Sequence, residues 1–264
     1  LPDAYRLHPE TFPLAEAAVS LYRDGKLIQT QATSSDGLYF LGIKGPADKL
    51  TIKIELKHGA SSPSVFRIVQ DAETEPIAAE TPFFSIPSNN SAPIQKDIEW
   101  SETSGLTPAG IAKDRLYDTA LAYYYVQQAW QLIARNILGR VPALAFDPPL
   151  MVRTFSTDPV VIKQDAYGDM SKPDLGLSAA RSRSADNLRP GTIWHELGHV
   201  VMGVMVKHEF PRFWENTAWK DYHAGFENAD TISSYIEGFA TFFAALVNTQ
   251  IGKAKPGVID VNIY

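Results

Sequence analysis

Residues 195–199 read His-Glu-Leu-Gly-His. On a helix, positions i and i+4 lie one turn apart on the same face, so His195 and His199 can offer two imidazole nitrogens to one metal ion. Zinc suits such a pair. Glu196, offset by one residue, points beside the ion, where it can take a proton from bound water. A tetrahedral catalytic zinc needs a third protein ligand and one open position. The next histidine, His208, sits at the polar end of the same run, where a cation favours the helix dipole, and its spacing does not suit a ligand. Glu237 is the better candidate. It lies in Tyr235-Ile-Glu-Gly-Phe-Ala-Thr-Phe-Phe-Ala244, and a carboxylate inside so apolar a stretch needs a compensating partner, which a dication supplies. Asp230, His223 and Glu227 are weaker candidates, because they fall in polar, loop-like sequence.

Two buried helices must bring these groups together. Thr192–Val206 is apolar on nearly every side, and Pro190-Gly191 before it reads as a helix start. A run from about Ala229 to Val247 reads as the second, with Asp230 or Thr231 able to cap it. A third helix is expected over Ile111–Leu138, stopped by Gly139. Strands are expected at Leu150–Phe155, Val160–Lys163 and Leu175–Ala179. The first hundred residues differ in kind. Ala17–Tyr22 and Leu27–Thr30 flank an Asp24-Gly25 hairpin turn. Leu38–Leu41, Leu50–Leu56, Val65–Val69, Phe83–Ile86 and Pro93–Trp100 follow as short strands, a pattern that argues for an antiparallel sandwich. The turn-rich stretch Ser101–Gly110 predicts a boundary, giving a β-sandwich over 1–103 and a second domain, with a small sheet and buried helices, over 104–264. The expected class is a multidomain α+β fold.

His-Glu-Leu-Gly-His followed by a Glu-Gly-Phe-Ala helix resembles the gluzincin branch of zinc metallopeptidases, the thermolysin-like and fungalysin-like enzymes. The resemblance implies a zincin-like domain with zinc held by His195, His199 and Glu237, and Glu196 as general base in peptide hydrolysis. It also implies that the strand nearest upstream of the first helix, Leu175–Ala179, is the edge strand that pairs with an extended substrate. The chain departs from the family in three places. The connection between His199 and Glu237 is long. Thr241 stands where many relatives carry an acidic residue. No histidine follows Glu237, so the oxyanion-stabilising donor must come from Tyr222, His223 or Tyr235, with Tyr222 and His223 ranked first. A ligand at Asp230 instead of Glu237 would make the site resemble the aspzincins. The N-terminal pattern around Asp24-Gly25 and Asp36-Gly37 resembles the prealbumin-like sandwiches appended to secreted carboxypeptidases and adhesins. Gluzincins often carry a further helical subdomain, so a C-terminal domain or separate chain completing the cleft is also implied.

Composition agrees with a globular enzyme: 264 residues, 45% hydrophobic and 20% charged. A net charge of −6 with no basic block disfavours nucleic acid as a partner. The longest apolar run, around Phe239–Val247, falls far short of the ~20 residues of a membrane span. With no cysteine, disulfides and thiolate zinc ligands are excluded. The chain begins at Leu1, as a processed product would, and a secreted or periplasmic setting is expected, with Asn89-Asn90-Ser91 a glycosylation sequon in a eukaryotic host. The expected partner is a peptide or protein substrate. The alternatives are an inactive zincin scaffold serving as a binding or adhesion module, and a zinc hydrolase of non-peptide amides. The intact Glu196 argues against the scaffold.

Overall fold

Asp24 and Gly25 both take positive φ (49° and 72°), the backbone a two-residue hairpin requires, and the strands on either side pair as the alternation predicts. This is a computed structural model; it describes residues 11–60, 64–88, 93–136, 146–156, 166–178, 188–206, 223–224, 227–228 and 231–254. The hairpin joins β1 (Ala17–Arg23) to β2 (Lys26–Ala32). The long strand β3 (Ala47–His58) lies antiparallel to β1 and to two short strands, β5 (Ala78–Glu80) and β6 (Phe84–Ile86). Strand β7 (Thr107–Ala109) extends this region by pairing with β5.

The end of β3 hands over to a second pattern. Lys57 pairs with Arg67 of β4 (Phe66–Gln70), and β4 then runs parallel to β8 (Leu150–Ser156). Strand β10 (Asp174–Ser178) continues in parallel beside β8, and β9 (Ala166–Asp169) closes the row antiparallel to β10. The result is a mixed α+β fold in which ten strands form one sheet, along the path β2-β1-β3-β4-β8-β10-β9. The sheet is continuous across residue 103, where the sequence reading divides the chain. One apolar core also spans both sides, taking in Val19 and Ile54 from the early strands and Leu150, Val152, Leu197 and Val200 from later elements.

Three helices pack on this sheet among the described residues: α1 (Leu116–Asn136), α2 (Pro190–Met205) and α3 (Thr231–Ala254). Helix α1 starts later than expected, because Lys113–Arg115 form a 3-10 turn. It is the central pillar. Tyr123 is fully buried, packs its ring against Phe66 with centroids 5.2 Å apart and donates its hydroxyl to the Ala15 carbonyl at 2.9 Å. None of the helices is long and apolar enough to cross a membrane.

Four expectations change. Leu38–Leu41 and Pro93–Trp100 are not strands: Leu38 and Phe40 face solvent, and Tyr39 donates its hydroxyl to the Lys96 carbonyl in place of a ladder bond. The strand at 174–178 is not the sheet edge, because β9 lies outside it. Helix α3 also runs past Val247 to Ala254. Val160–Lys163 lies outside the described residues.

Candidate metal centre

Helix α2 opens with Pro190 at its first turn, after an extended Arg189, and is buried on almost every side. Such a helix has little solvent face on which to place a charged side chain. Its two histidines, 8% and 7% exposed, therefore face protein. Trp194 fastens the helix to α1 by donating its indole N–H to the Tyr125 carbonyl at 3.0 Å. One turn apart, the rings of His195 and His199 stand nearly perpendicular, with centroids 4.8 Å apart and Nε2 atoms 3.2 Å apart.

Helix α3 supplies the third group. Glu237 is 7% exposed. Its Oε2 lies 3.1 Å from His195 Nε2 and its Oε1 3.5 Å from His199 Nε2. All three donor groups fall within 4.8 Å of one another. Ligand atoms bound at 2.0–2.1 Å around a tetrahedral zinc are separated by about 3.3 Å; the two imidazole nitrogens stand 3.2 Å apart, one carboxylate oxygen lies 3.1 Å from His195 and the other 3.5 Å from His199, so the groups converge at that scale. Two imidazoles and one carboxylate also match the donor set of a catalytic site that keeps a position open. The residues fit the ion. Glu196, on the same helix, is less buried than the two histidines.

Close backbone packing makes the convergence possible. A Cβ on Gly198 would lie 2.8 Å from the Ala240 Cα, so α2 and α3 touch at a point between the histidines and one turn after Glu237. A Cβ on Gly168 of β9 would collide with the Glu196 carbonyl, and one on Gly203 with the backbone of Met170. The edge strand and the turn after it thus lie against α2 beside Glu196. On the other face of the sheet, Tyr167 donates to Asp174 at 3.3 Å, and Arg153 Nε meets the Asp174 carboxylate at 2.9 and 3.0 Å. Burial, followed by the Asp174 charge, pushes the Tyr167 phenol well above its ordinary pKa, so it remains a donor.

The structure brings together His195, His199 and Glu237, with Glu196 beside them. Tyr222, Asp230 and His208 lie outside the described residues. The backbone of His223 pairs with Asn228 in a two-residue ladder, β11 (His223–Ala224) with β12 (Glu227–Asn228). Tyr235 is 63% exposed on α3. Sequence reasoning missed β9, Gly168 and Met170; the short Tyr-Gly-Asp stretch carries no alternation that would mark a strand. An open cavity of about 790 Å³ lies elsewhere, lined by Phe12, Tyr39, Trp100 and Tyr117 among others and by no residue of α2 or α3. Comparison with models of known protein families, with curated proteins and with solved structures returned no match to this chain.

Proposed function

We propose that this chain is a zinc metallopeptidase of the gluzincin type, acting on peptide or protein substrates in a secreted or periplasmic setting. The observation that carries the reading is the convergence of three buried groups from two helices, with donor atoms within 4.8 Å of one another and a glutamate next in sequence to one of them. His195, His199 and Glu237 would hold the ion. Zinc bound there supplies Lewis acidity toward water and a carbonyl oxygen at neutral pH. Glu196 accepts the proton of the attacking water and returns it to the leaving amine. In this reading Tyr222 and His223 are the donors to the oxyanion. The outer side of β9, which has no partner strand among the described residues, offers main-chain groups to an extended substrate beside Glu196.

Elemental mass spectrometry on the purified chain and on Glu237→Ala tests the ligand set. About one zinc per chain is expected in the parent, with strong loss in the variant. Glu196→Gln is expected to keep the zinc and to lose peptide hydrolysis. A parent that takes up no zinc after supplementation, or a fully active Glu196→Gln, would overturn the proposal.

A further inference from the structure

Helix α3 is held by two separate apolar clusters. Its C-terminal half, through Phe243, Ala244 and Val247, belongs to the main core. The turn carrying Glu237 does not. Ile236, immediately before the ligand, packs instead in a small satellite cluster with Met202 and Met170, and Phe239 bridges the two clusters. Met202 follows His199 by less than one helical turn, so the satellite cluster touches both ligand-bearing turns.

Met170 is the member that comes from outside the two helices. It is 9% exposed and follows β9 directly. Its backbone rests on Gly203 of α2, at a distance only glycine allows, and two residues earlier the Gly168 backbone rests on that of Glu196. The Tyr167–Asp174–Arg153 hydrogen bonds fasten the strand from its other face. Met170 therefore stands on a fixed backbone and reaches the ligand helices from the side.

We propose that Met170 is a positioning residue for the metal centre: it wedges the end of the edge strand between the two ligand helices and fixes the separation of Glu237 from the histidine pair. The inference rests on the zinc reading above. Without the Met170 side chain the main core stays filled, but the Ile236 turn loses its lateral support and the carboxylate gains freedom to leave the triad. Metal sites hold their distances to about 0.2 Å, so a small excursion is costly to affinity.

The test is the zinc dissociation constant of the folded protein, measured by competition with a chromogenic chelator, beside the melting temperature of the zinc-free protein. Met170→Ala is expected to weaken zinc binding about 10-fold to 100-fold, the range seen when support behind a ligand is removed. Met170→Leu, which keeps the volume, is expected to stay within about threefold of the parent. Met170→Val removes less volume and takes the place of the alanine variant if that one does not fold, with the same direction expected. A folded Met170→Ala or Met170→Val that melts lower but binds zinc as the parent does would make the residue merely structural and overturn the inference. A parent that binds no zinc would instead bring down the metal reading itself, so the two failures are distinguishable.

Discussion

Gly198→Ala adds one methyl group at the contact between α2 and α3, the helices that carry the proposed zinc ligands. The new carbon would sit 2.8 Å from the Ala240 Cα, 3.1 Å from the Ala240 carbonyl oxygen and 3.2 Å from the Phe243 Cβ. Carbon atoms in contact prefer about 3.5–4.0 Å, so α3 must withdraw by roughly 0.7–1.2 Å. Two of the three obstacles are backbone, and no rotamer change removes them. Ala240 is three residues beyond Glu237, so the carboxylate moves with it, several times farther than the ~0.2 Å tolerance of a zinc site. Zinc affinity is expected to fall by at least about 10-fold. Stability changes less: overpacking costs about 1–3 kcal/mol, offset by about 1 kcal/mol because alanine is the better helix former. The control is Gly238→Ala. It neighbours Glu237 in sequence, but its Cβ would meet nothing within 4 Å. That variant is expected to gain up to about 1 kcal/mol and to bind zinc as the parent does. Chelator competition and thermal melts on the three proteins decide the matter. A Gly198→Ala protein with unchanged zinc affinity would refute the claim that the helix contact sets the triad.

Acid should loosen the early strands. His58 packs its ring 5.3 Å from Phe66 and 5.9 Å from Trp130, and burial lowers its pKa to about 4. The unfolded imidazole takes a proton near pH 6.5, so between those values the unfolded chain binds more protons; stability is intact above about 6.5 and is lost as pH falls toward 4. The loss should reach about 2 kcal/mol after allowance for the ring being only partly buried, and His58→Phe should flatten the melting temperature across that window. Asp174→Ala leaves the half-buried Arg153 only the Asp71 and Glu73 carbonyls as partners and should cost about 2 kcal/mol in denaturant unfolding; a neutral result would mean the Asp174 contacts contribute nothing to holding β9.

The readable parts of this chain were those that depend on near neighbours in sequence. His195 and His199 declare themselves because four residues make one helical turn, and Glu237 because a carboxylate in so apolar a stretch needs a partner. The Asp24-Gly25 hairpin and the alternation of Leu50–Leu56 were equally local. Partner choice was not legible. Phe66–Val69 is a strand either way, but nothing within it says that it pairs with Leu150–Ser156 in parallel. Leu38–Leu41 keeps a strand's alternation, with Tyr39 and Leu41 packed inward and Leu38 and Phe40 outward, yet makes no ladder. β9 escaped notice for the opposite reason: tertiary position makes Ala166–Asp169 a strand, with no propensity or period to announce it. Those four residues form the edge beside Glu196, so the least legible element is one of the closest to the candidate metal centre.

The parallel pairing of β4 with β8 also sets an order in time. Thr154 donates its hydroxyl to the carbonyl of Val69, 85 residues earlier in the chain. At about 5–20 residues per second of synthesis, β4 waits roughly 4–17 s after it is made before its partner exists. Until then Phe66, Ile68 and Val69, all fully buried in the finished fold, stand at an open strand edge that another chain could extend. Closing so long a loop before any contact rewards it is slow. The nascent protein thus passes through an interval in which a neighbouring copy of itself could pair with its open edge.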